Sequence, residues 1–151
     1  MTQSYTITEV GPASALISGH RAVKVGNDGS HWIEGLRCED CGVFVANAAL
    51  ACRRCASRRP FAPVRAEGTG KLYSWAVIHR SYPGIAVPFV SAIVDLDGGM
   101  TIKGTLRDVD MASLRPGVAV RVVFDDACGA RDSQGVPYVG FHFVPEEDAN
   151  A

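Results

Sequence analysis

Four cysteines arranged in two pairs constrain this chain more than any other feature. Cys38-Glu-Asp-Cys41 and Cys52-Arg-Arg-Cys55 each enclose two residues, and ten residues separate the pairs. Two spacer residues let both sulfurs of a pair turn toward one point, and two such knuckles complete a tetrahedral S4 metal site. The connection is shorter than the roughly 15–20 residues of longer zinc-site spacings, but short zinc ribbons close with it. Gly42 follows the first pair, where a residue tolerating positive φ lets backbone N–H groups turn toward the thiolates. Ala56 holds the corresponding place after the second pair, which makes that knuckle less ideal.

Three other uses of these cysteines compete. Disulfides belong to oxidising compartments. A redox-active pair of the thioredoxin type needs one CxxC, opening a helix after a strand, and here there are two. Iron suits a tetrahedral S4 site as zinc does. The reading carried forward is one structural zinc on Cys38, Cys41, Cys52 and Cys55, because four sulfurs leave no open position for water. The fifth cysteine, Cys128, is expected as a small buried apolar residue and not as a nucleophile.

A reducing compartment is expected from the rest of the chain. Met1 to Glu9 is polar, without the basic start and apolar stretch of a signal peptide. No apolar run approaches the roughly 20 residues needed to span a bilayer, so a cytoplasmic protein is the expectation. A 151-residue chain with 47% hydrophobic residues can bury a core. Its net charge of -1 argues against a dedicated nucleic-acid binder. The charge is uneven, however: Arg37 to Lys71 holds seven basic and three acidic residues, the remainder eight and thirteen. Four zinc-bound thiolates would add a local net charge of about -2 and shrink the basic excess.

The periodicity beyond the cysteines is that of strands. Residues 1–30 form an N-terminal arm, with either a helical turn at Ala13–Ile17 or an extended course on a partner. Residues 31–63 form the ribbon, on which Trp32 packs unless it meets another subunit. The Pro60-Phe-Ala-Pro63 segment prevents helix and marks an extended link. From residue 64 to 145, five runs alternate: Leu72–Arg80, Phe89–Leu96, Met100–Leu106, Val118–Phe124 and Tyr138–Val144. In the first, Tyr73, Trp75 and Val77 fall on one face, with Leu72, Ala76 and Ile78 on the other. Asp97-Gly98-Gly99 is a hairpin signal between the second and third. Five strands with a wide connection before the fourth suit a Greek-key barrel of the OB type; a sandwich is the alternative, though five strands are few for one. The fold class expected is mainly β, a rubredoxin-like zinc ribbon followed by a five-stranded OB-fold barrel, with an acidic tail at 146–151.

Signs of catalysis are missing from the sequence. It has no GxSxG, no phosphate-cradling glycine loop and no further ligand cluster. His20, His31, His79 and His142 are scattered, and His79 and His142 are expected to be structural.

Taken together, CxxCG…CxxC, the proline-rich link, Gly68-Thr-Gly-Lys-Leu-Tyr-Ser, His79, Asp95-Leu-Asp-Gly-Gly99 and Tyr138-Val-Gly-Phe-His-Phe-Val-Pro145 resemble the DUF35 family. The resemblance spans residues 32 to 145. It implies a zinc ribbon joined to an OB-fold and a non-catalytic accessory subunit in a hetero-oligomer. The implied partner is a thiolase-superfamily enzyme acting on acyl-CoA, such as a thiolase, an acetyltransferase or a thiolase-like aldolase. The segment entering the ribbon departs from the pattern, because Trp32-Ile-Glu-Gly-Leu-Arg runs at once into Cys38. Within that resemblance Arg53, Arg54, Arg58 and Arg59 are candidates for coenzyme A phosphates, which suit arginine forks. Solvated surface charge and contact with an acidic partner are the other readings of these arginines. The alternative function is a nucleic-acid-binding ribbon and barrel, for which Tyr73 and Trp75 would serve as a stacking platform.

Overall fold

The structure, a computed structural model, describes residues 17–47 and 49–147. The helical turn expected at Ala13–Ile17 lies outside the described residues except for Ile17, and so does most of the acidic tail. Five short strands come first: β1 (Ile17–Ser18), β2 (Val23–Val25), β3 (His31–Arg37), β4 (Phe44–Val45) and β5 (Ala62–Arg65). β3 is their centre, pairing antiparallel with β2, β4 and β5. The β2–β3 turn is held by Asp28, whose Oδ1 accepts from the Ser30 amide at 3.0 Å and the Ser30 hydroxyl at 2.6 Å. The proline link is extended as expected, and it contributes the ribbon's last strand.

The described half of the arm is not a free extension. β2 belongs to the ribbon sheet, while β1 runs parallel to the last strand of the chain, Ile17 opposite Tyr138. Strands of two and three residues carry no readable alternation, so only long-range pairing could have revealed them. Trp32 stays within the ribbon: the Arg65 guanidinium lies 3.9 Å over its ring, and its indole N–H donates to Glu34 at 3.2 Å.

Five longer strands follow: β6 (Thr69–Ile78), β7 (Phe89–Leu96), β8 (Thr101–Leu106), β9 (Ala119–Asp125) and β10 (Tyr138–Pro145). β6, β7 and β8 form an antiparallel meander. β10 then lies parallel to β8 and antiparallel to β9, and β9 returns to β6. The sheet therefore closes in the order β6-β7-β8-β10-β9, an OB-type barrel without free edges. Among the described residues no helix is long and apolar enough to cross a membrane.

Inward positions of the alternation build the core. Val90, Ala92, Val94 and Leu96 of β7 are buried, as are Ile102, Leu106, Val120, Val139 and Phe143. The same cluster takes in Val23, Ile33 and Phe44 from the ribbon, with Met100 wholly buried between them. Ribbon and barrel thus share one core. Gly70, in the Gly-Thr-Gly motif, sits where a Cβ would lie 2.4 Å from the Asp95 carbonyl oxygen. Only glycine permits so close an approach of β6 to β7.

One expectation about faces is corrected. The pairing of β6 with β7 shifts between Leu72 and Ser74, a β-bulge that puts Tyr73 outside the alternation. Leu72 is buried, and Trp75 and Val77 also pack on the core, whereas Tyr73 is 64% exposed. The expected pairing of Tyr73 with Trp75 as a stacking platform is therefore absent.

Candidate metal centre

The two knuckles hang from the ribbon sheet. Cys38 follows β3 directly, and its amide is tied to the Val43 carbonyl; the Gly42 amide donates back to Cys38. The second knuckle repeats this pattern: Cys52 N to Ser57 O, and Ala56 N to Cys52 O, both at 2.8 Å. Gly42 has φ +74 and Ala56 φ +60, so the alanine takes the left-handed conformation that glycine takes more readily. The second knuckle closes in spite of its residue.

The four sulfurs converge. All ligand atoms lie within 4.8 Å of one another, with Cys38 to Cys55 at 3.7 Å and Cys41 to Cys52 at 3.6 Å. A tetrahedral ion with metal–sulfur bonds of about 2.3 Å requires sulfur separations of about 3.8 Å. The donor set fits a closed S4 metal site. Cys38 and Cys52 are buried and Cys55 is exposed, so the site faces the surface on one side. Backbone N–H groups of Cys55 and Arg54 draw the Cys52 thiol down to about 6. The Ser57 N–H favours the Cys55 thiolate as well, yet desolvation and the other three sulfurs push Cys55 up to about 12. Four crowded thiolates need a cation to be ionised together.

The spacer residues brace the site from outside. Arg59 contacts Asp40 at 2.7 Å and Glu39 at 3.3 Å, and the Ser57 hydroxyl donates to Asp40. The Ser57 and Arg59 contacts hold the Asp40 carboxyl below its ordinary range. This bridge joins the first knuckle to the chain leaving the second. Of the four arginines considered for coenzyme A, Arg59 is thus committed to the ribbon. Arg53, Arg54 and Arg58 are exposed, and none makes a salt bridge among the described residues. Opposed charges in the spacers and after the second knuckle were the sequence signal for the Arg59 bridge.

Two further residues were read only in part. His142, expected to be structural, is buried, and its Nδ1 lies 2.6 Å from Asp125 Oδ2, a partner not anticipated. Cys128 is exposed, contrary to expectation. Ala127, Cys128 and Gly129 all have positive φ, and this tight turn carries the thiol outward.

The comparisons with known proteins bear on the same two units. A family model described as the C-terminal OB-fold domain of ChsH2 matches residues 63–125. A "DUF35 domain-containing scaffold protein" of Methanocaldococcus jannaschii is 28% identical over 116 residues, covering 76% of this chain and 82% of the relative. One from Methanothermobacter thermautotrophicus is 28% identical over 117 residues, covering 76% and 86%. These matches support the DUF35 family for this chain. A solved structure named "Ltp2-ChsH2(DUF35) aldolase" superposes on this chain with a TM-score of 0.61 and 25% identity, covering 76% of this chain and 84% of that one. The "3-oxo-4,17-pregnadiene-20-carboxyl-CoA hydratase alpha subunit" of Mycobacterium tuberculosis is 38% identical over 68 residues. That match covers 44% of this chain and 22% of the relative.

Proposed function

We propose that this chain is a non-catalytic, zinc-binding accessory subunit of a thiolase-superfamily enzyme in acyl-CoA metabolism. The observation that carries the reading is the structural likeness to a DUF35 chain named as part of an aldolase. A relative named for a carboxyl-CoA substrate supports the acyl-CoA context. The closed S4 set supports a structural ion, because an ion with four sulfur ligands has no position for substrate or water. Zinc held by Cys38, Cys41, Cys52 and Cys55 supplies the charge that neutralises the thiolates and locks the two knuckles. Arg53, Arg54 and Arg58 remain available on the ribbon surface for coenzyme A phosphates in the complex, while Arg59 is held in its bridge to Asp40.

The test is co-expression with a thiolase-superfamily protein of the same organism, followed by acyl-CoA assays of each protein and of the mixture. The expected result is a stable hetero-oligomer whose activity requires both proteins. Replacing Arg53, Arg54 and Arg58 together with alanine then raises the acyl-CoA KM in the intact complex. Catalysis by this chain alone, or failure to associate with any such protein, contradicts the reading. An unchanged KM removes the arginines from it.

A further inference from the structure

A cleft of about 740 Å³ opens on the barrel wall, where the β1–β2 turn passes over β8 and β10, and none of the four paired cysteines lines it. Its size falls within the roughly 300–1,000 Å³ of small-molecule sites. Three cations line it from separate parts of the fold: Arg21 from the β1–β2 turn, Lys103 from β8 and Arg107 just beyond β8. None of the three makes a salt bridge among the described residues. Ile78, Phe89 and Phe141 give the same cleft an apolar lining.

The one carboxylate in the lining, Asp125, attracts Arg107 and cancels at most one of the three charges, which leaves a positive excess. Asp125 already accepts from His142 Nδ1 at 2.6 Å and from the Ala127 amide at 2.9 Å. Like charges gathered around a concave apolar surface repel one another, and their field is focused into the cleft. A neutral apolar ligand would leave that repulsion in place, and a bare inorganic anion would leave the apolar wall wet. A molecule with an anionic head and an apolar body satisfies both parts of the lining.

We propose that this cleft binds an amphipathic organic anion, a carboxylate or phosphate monoester attached to an aliphatic or aromatic body. The site lies on the barrel, uses none of the ribbon arginines and needs no partner subunit, so it stands or falls apart from the proposed function.

The experiment is an amide NMR titration of the full-length, metal-loaded chain with octanoate, octyl phosphate, octanol and inorganic phosphate. Octanoate or octyl phosphate, or both, should shift the amides of Gly104, Arg107 and Gly140. The tighter of the two identifies the head group. Octanol and inorganic phosphate should bind at least tenfold more weakly. The double variant Arg21→Glu, Lys103→Glu should weaken the octyl anion at least tenfold with the rest of the spectrum unchanged, since both residues are exposed. Lys71→Glu, an exposed β6 change outside the cleft, should leave affinity as it was. Octanol binding as tightly as the anions, shifts mapping elsewhere, no binding by either anion, or equal loss with Lys71→Glu would each overturn the proposal.

Discussion

Replacing Asp125 with alanine removes the acceptor at the centre of a buried pair. The carboxylate lies on β9 and reaches His142 on β10; the two side chains are 6% and 10% exposed. A hydrogen bond to a charged group contributes about 1.5–3 kcal/mol, and a stranded buried N–H costs about 1–3 kcal/mol. Both apply, because Asp125 also holds the Ala127 amide at 2.9 Å. Water entering from the adjacent cleft offsets part of the loss, which leaves about 3 kcal/mol. For a chain of 151 residues, at about 2–4 °C per kcal/mol, Tm should fall by about 10 °C. The substitution Asp125→Asn keeps the shape and one acceptor but loses the charge, so it should cost about half as much. Burial pushes the Asp125 carboxyl up, but the His142 hydrogen bond and the Ala127 amide outweigh it and hold it below the ordinary range. A depressed carboxylate contributes fully above its unfolded pKa and loses that contribution as pH falls through its folded value. The gap between wild type and Asp125→Ala should therefore be constant near neutrality and narrow below about pH 4. Urea unfolding at a series of pH values measures it. A gap under about 1 kcal/mol at pH 7, or one that stays constant down to pH 3, would refute this reasoning.

Other perturbations follow from the same contacts. Gly70→Ala drives a Cβ to within 2.9 Å of Leu96 Cα and closer still to the Asp95 carbonyl, so unfolding should become easier by about 3 kcal/mol. Ala56→Gly relieves a left-handed residue at φ +60; the strain of about 1–2 kcal/mol less the entropy of glycine predicts a gain of about 0.5–1 kcal/mol in the metal-loaded protein. A destabilised Ala56→Gly protein would contradict that knuckle geometry. Chelation should release one metal ion per chain and collapse the amide dispersion of residues 38–57 while the barrel strands keep theirs. Unchanged ribbon signals after complete metal removal would end the structural role of the ion.

The sequence was most legible where physics acts locally. Phe89 to Leu96 alternates because one face enters the core, and Asp97-Gly98-Gly99 turns because two glycines accept positive φ. The cysteine spacing announced the S4 cluster because two-residue spacers leave few other geometries. What escaped depends on contacts between distant segments. The bulge at Tyr73 exchanges the faces of β6, and strict counting of alternate residues cannot register an extra residue. Asp125 and His142 meet because β9 and β10 pair in one register, Gly140 opposite Asp125. The outward turn of Cys128 and the cleft at Arg21, Lys103 and Arg107 likewise require the closed barrel to exist first.

Native mass spectrometry of this chain co-expressed with a thiolase-superfamily protein tests the central claim most directly. The account predicts one assembly containing both proteins, with one zinc ion for each copy of this chain, and dissociation when Cys38→Ser and Cys52→Ser are introduced together. Finding the two proteins separate, or an intact assembly from the metal-free double variant, would contradict it.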